Sequence, residues 1–91
     1  MPHKFEMGNV VATPGALEAL ESAGVHAYEL LYRHVSGDWG EVDAHDAAEN
    51  DFALGKQLRI VSAYTLNTGV TVWIISEADR SSTCLLLPSE Y

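Results

Sequence analysis

His34 closes a helical stretch just before "SGDWG", a loop that carries two glycines. Downstream, Ser62, Tyr64 and Thr83 fall in β-prone runs, and "RSST" at 80–83 adds an arginine. An imidazole that faces such a sheet could act as acid and base, with the arginine holding a phosphate and the hydroxyls orienting it. That makes His34, Ser62, Tyr64 and Thr83 the catalytic candidates. The plainer reading treats His34 as a cation in the last turn of a helix, with its ring covering the edge of the core.

A second constellation is acidic. Asp38, Glu41, Asp43, Asp46, Glu49 and Asp51 follow one another with no lysine or arginine between Arg33 and Lys56. Together with Trp39, they read as a docking surface for a basic protein partner; a solvated helix face, with acids near its N-terminus, is the alternative. His45 and Glu49 stand at i, i+4 beside Asp46, but no second histidine completes a ligand set, so no metal is expected. No dinucleotide or phosphate-loop motif is present, and no cofactor is expected.

The totals narrow the field. Ninety-one residues make one domain, and an apolar fraction of 47% supports a single core. Thirteen Asp and Glu against five Lys and Arg leave a formal charge of −8, which opposes binding to a nucleic-acid backbone. Cys84 is the only cysteine, so no disulfide framework forms within the chain. The start, "MPHKFEMGNVV", lacks the apolar run of a signal peptide, and no stretch is long enough to span a membrane. A cytoplasmic location is the expectation.

The elements that must position these residues are punctuated in the sequence. "GNVVA" (8–12) is a short β-prone run after a seven-residue end expected to be loose. Thr13, Pro14 and Gly24 bound a first helix, with Ala16, Leu17 and Leu20 on one face. A second helix runs to Gly37, and a third starts at Asp43 with Ala44, Ala47, Ala48, Phe52 and Leu54 as its apolar positions. From Lys56 the period becomes two: "LRIVSAYTL", "VTVWIIS" and "STCLLL" read as strands joined at Gly69 and at "EADRS". Alternation turns Leu58, Ile60, Ser62, Tyr64 and Leu66 toward the helices. The fold class is α+β: helices over 14–54 on an antiparallel β-meander over 58–87, with an extra strand at 8–12. The polar segment Glu77–Ser81 reads as the turn between the last two strands. "TCLLL" as an exposed last strand predicts a homodimer.

Helices followed by a meander are similar in layout to the barnase- and RelE-like ribonucleases, which gives the catalytic reading its reaction class. "VVATPGALEAL", "RHVSGDWGEVD" and "GVTVWIISEADRSSTCLLLPSEY" resemble a group of small bacterial proteins of plasmids and mobile elements, labelled plasmid-related proteins. The resemblance runs from about Gly8 to Tyr91 and implies a setting rather than a mechanism: an accessory protein that acts on a host component.

Overall fold

Capping residues divide the first half of the chain. In the structure, a computed structural model that describes residues 3–91, the Thr13 hydroxyl accepts from the Ala16 N–H at 3.1 Å and opens α1 (Pro14–Ala23). Gly24, at φ 70°, closes it. In α2 (Ala27–Val35) the Glu29 carboxylate reaches back to the His26 N–H at 2.8 Å. The Asp43 carboxylate opens α3 (Ala44–Ala53) by accepting from the Asp46 N–H at 2.8 Å. A strand, β1 (Asn9–Ala12), precedes the helices. Three follow them, β2 (Ile60–Thr65), β3 (Thr71–Ser76) and β4 (Ser82–Leu86), before a single 3₁₀ turn at Pro88–Glu90.

The strand order is β1-β4-β3-β2. β2, β3 and β4 form the antiparallel meander read from the alternation, but β1 joins it parallel to β4, so the sheet is mixed. This corrects the expectation about the last strand. β4 lies inside the sheet, flanked on both sides, and Leu85 and Leu86 are buried. The edges are β1 and β2.

One sheet face packs on α1 and α2 around Ala16, Leu20, Leu30, Leu31, Ile74 and Leu85. Ile60, Ser62, Tyr64 and Leu66 are all buried on the inward face of the sheet, as alternation requires. Leu58 lies ahead of the strand and is exposed, and Leu17 faces solvent while Ala16 and Leu20 do not. α3 is rotated relative to its apolar positions: its buried residues are Asn50 and Ala53, and Phe52 is 62% exposed. A second small core joins Trp39, Ala53 and Ile60, with Phe5 packed against it. The N-terminal end is therefore not loose where it is described. The Lys4 N–H donates to the Val35 carbonyl at 2.8 Å, and the Phe5 ring stands edge-on to His34 at 5.2 Å between centroids. Residues 1 and 2 lie outside the described residues.

Arg80 ties the α3 side together. Its guanidinium donates to the carbonyls of Ala53 (2.9 Å) and Lys56 (3.1 Å) at the end of α3, to Leu58 (2.6 Å), and to Glu77 (2.9 Å) within its own turn. It also lies 5.6 Å from the centre of the Phe5 ring. A cation at the C-terminal end of a helix opposes the carbonyl dipoles gathered there. Arg80 holds φ at 60°, a conformation that glycine adopts more readily. Arg80→Gly thus separates backbone from side chain: without the clasp, relief of φ would raise stability. We expect instead a loss of roughly 2–3 kcal/mol in chemical denaturation, the scale of hydrogen bonds from a charged donor.

Candidate functional site

The catalytic candidates converge, but in the core. α2 turns His34 onto the sheet, where the ring is fully buried. Its Nδ1 lies 2.6 Å from the Ser62 hydroxyl of β2, and its Nε2 lies 2.9 Å from the Ser76 hydroxyl of β3. Ser76 continues to Thr83 of β4 at 2.7 Å, and the Thr83 hydroxyl donates to the Met7 carbonyl at 2.8 Å. The Met7 carbonyl can only accept, which fixes the direction of the whole chain. Thr83 spends its proton on Met7 and accepts from Ser76; Ser76 then accepts from Nε2–H; the neutral ring takes the Ser62 proton at Nδ1. Burial, with the charge of Arg80 as a second cause, lowers the His34 pKa to about 3. His34 is a neutral core residue, not the helix-end cation considered above, and its ring is sealed from solvent.

Tyr64, the fourth candidate, points to a different partner. Its hydroxyl donates to the Asp38 carbonyl at 2.6 Å, and burial pushes its pKa up. Ser76 escaped the sequence reading. Its signal was there: on β3 it shares the inward parity of Val72 and Ile74, so three small hydroxyls (Ser62, Ser76, Thr83) stand at inward positions of three strands.

The acidic candidates divide into two groups. Asp38 is held by Arg33 at 2.7 Å, and that hydrogen bond is the main cause of its lowered pKa. Asp51 accepts from the Trp39 indole N–H at 3.0 Å. Trp39 itself is only 6% exposed, packed as an aromatic between two glycines must be, and so is a core anchor rather than a contact surface. Glu41, Asp43, Asp46 and Glu49 are exposed, and among the described residues none pairs with a lysine or arginine. Glu49 sits 3.1 Å from His45, and no three potential ligands gather to hold a metal among the described residues.

These four acids rim a groove of about 1080 Å³ between α3 and the outer face of the sheet. Its apolar lining comes from Phe52 and Leu58 together with Val61, Ala63 and Trp73, which occupy the outward positions of β2 and β3. Arg59 also lines it, but its guanidinium is engaged by Glu77 at 3.2 Å and by the Tyr91 hydroxyl at 3.0 Å. Asn50 shapes the groove from beneath. Its amide donates to the Val61 carbonyl (2.8 Å) and accepts from the Val61 N–H (3.1 Å), replacing a neighbouring strand. Further along β2, the Ala63 N–H donates to the Trp39 carbonyl, the Glu41 N–H donates to the Ala63 carbonyl, and the Thr65 N–H donates to the Glu41 carboxylate. Gly40 permits that approach: a Cβ there would collide with the Ala63 carbonyl.

Comparison with protein-family models, curated proteins and solved structures finds no match for this chain. Among the described residues no helix is long and apolar enough to cross a membrane.

The buried imidazole makes stability depend on pH. Between about 6.5 and about 3 the unfolded chain binds a proton at His34 that the folded chain does not, so stability falls as pH falls through that window. Above 6.5 both states are neutral at this ring and its contribution is flat. Denaturant titrations should show wild type losing up to roughly 1.4 kcal/mol per pH unit more than His34→Gln between pH 6 and 4. Parallel curves for the two proteins would contradict a neutral buried ring.

Proposed function

We propose that this chain is a protein-binding module whose groove between α3 and the outer sheet face receives a basic, amphipathic segment of a partner protein. The observation that carries the reading is the pairing of an apolar floor with an unneutralised rim. Trp73, Val61 and Phe52 offer surface for apolar side chains, while Glu41, Asp43, Asp46 and Glu49 supply negative charge that, among the described residues, no lysine or arginine salt-bridges. Such a groove fits a helix that lays apolar residues inward and lysines or arginines along its flank. A net charge of −8 draws a basic partner and repels a nucleic acid. The buried, neutral His34 supports this reading over the ribonuclease one, which needs an imidazole in contact with solvent. The bacterial cytoplasm, and the accessory role on a mobile element that the resemblance implies, belong to the same proposal.

A synthetic peptide of leucines and lysines at helical spacing tests it. Titrated into ¹⁵N-labelled protein, it should shift the Trp73 indole and the Glu49 and Phe52 amides, and leave the buried Trp39 indole in place. Changing Asp43→Asn, Asp46→Asn and Glu49→Gln together keeps a capping side chain at position 43. It should weaken binding roughly tenfold or more, and added salt should weaken it further. Shifts scattered away from α3, or an affinity untouched by the three substitutions, would contradict the docking site.

A further inference from the structure

We propose that the free edge of β1 pairs with the same edge of a second copy of this chain, antiparallel about a two-fold axis at Val11, so that two four-stranded sheets become one continuous sheet.

The two edges of the sheet are treated differently. β2 is closed at Val61, Ala63 and Thr65 by the Asn50 amide, the Trp39–Glu41 backbone and the Glu41 carboxylate. β1 has no such cover among the described residues. The N–H groups of Asn9 and Thr13 turn inward to the carbonyls of Ser81 and Leu85. Alternation then turns the N–H and C=O of Val10 and Ala12 outward, away from β4. Exposed edges are commonly protected by shortness, which a four-residue strand has, or by a lysine, a proline or a bulge. The strand "NVVA" carries no lysine, proline or bulge, and its Val10 and Val11 are 45% and 53% exposed.

The edge is complementary to itself. With Val11 opposite Val11 of the second copy, Val10 and Ala12 of one chain meet Ala12 and Val10 of the other. Each of these pairs exchanges N–H···O=C bonds. The two Val11 residues form the non-hydrogen-bonded pair between them, where side chains approach most closely. Asn9 then faces Thr13, so no acid meets an acid along the strand. On the outer face the row Val11, Cys84, Ile75, Val61, which the strand register aligns, runs on into its counterpart. A copy of the chain therefore supplies a strand of matching length, polarity and side chains. The strand is short, and an interface below about 1,000 Å² holds only weakly. Two chains of charge −8 also repel, so this association tightens with salt, opposite to docking of a basic segment in the groove.

The test is a disulfide at the axis. Directly opposed residues of such a pair have Cβ atoms about 4.5–5.5 Å apart, within reach of a disulfide once the strands close slightly. Val11→Cys in a Cys84→Ser background should give a cross-linked dimer under glutathione oxidation at least tenfold faster than Asn67→Cys, an exposed turn position far from the edge, in the same background. Sedimentation equilibrium of the unmodified chain should show dimer rising with concentration and with sodium chloride, and Val11→Lys should return it to monomer. Equal cross-linking rates, a monomer mass at every concentration and salt, or a dimer indifferent to Val11→Lys would each overturn the proposal.

Discussion

A neutral imidazole sealed from water sets the terms for the rest of this fold. His34 has two ring nitrogens and no solvent, so each must find a partner or cost the energy of an unsatisfied buried group. Ser62, Ser76 and Thr83 meet that demand from three strands, and Met7 closes the chain from the N-terminal segment. The arrangement works only in one strand register. A slip of one residue in β2 or β3 would carry its hydroxyl to the opposite face and leave the ring bare. The same network binds α2 to the sheet and draws residues 5–7 over its end, where Phe5 meets both His34 and Trp39.

Around that core, the side chains that look most reactive are occupied with backbone. Arg80 donates to carbonyls, Asn50 imitates a strand, Asp43 caps a helix and Glu41 closes the β2 edge. Polar groups used in this way stabilise the irregular connections of a small domain, whose core alone is modest. The surface left over is consistent in character. An apolar outer sheet face runs from Val11 to Trp73, α3 stands beside it, and among the described residues Glu41, Asp43, Asp46 and Glu49 at the groove form no salt bridge with a lysine or arginine.

Much of this was legible in the sequence because it is local. Thr13, Gly24, Asp43 and Gly69 mark helix ends and a turn by backbone chemistry that needs no distant partner. The period-two inward set through Ile60, Ser62, Tyr64 and Leu66 is local for the same reason. What escaped depends on contacts distant in the chain. α3 carries alanines on several faces, so its orientation is settled by Asn50 meeting Val61 and not by hydrophobic pattern. β1 pairs with β4 across most of the chain, and nothing in "GNVVA" names that partner or its parallel sense. Ser76 was missed and Tyr64 bonds elsewhere, whereas His34, Ser62 and Thr83 were grouped from the sequence and share one hydrogen-bonded chain. Their burial was not readable, since the residues that form a hydrogen-bonded core chain are the same types that form a catalytic one.

Nitrogen-15 NMR of the His34 ring tests most directly the claim that this constellation is structural. As pH falls from about 8 to about 4, the account predicts one unchanging state: Nε2 protonated with a slowly exchanging proton, Nδ1 bare and accepting from Ser62. A His34 signal that titrates near 6.5, or that carries its proton on Nδ1, would show a ring open to solvent and available for chemistry, and the account would fail.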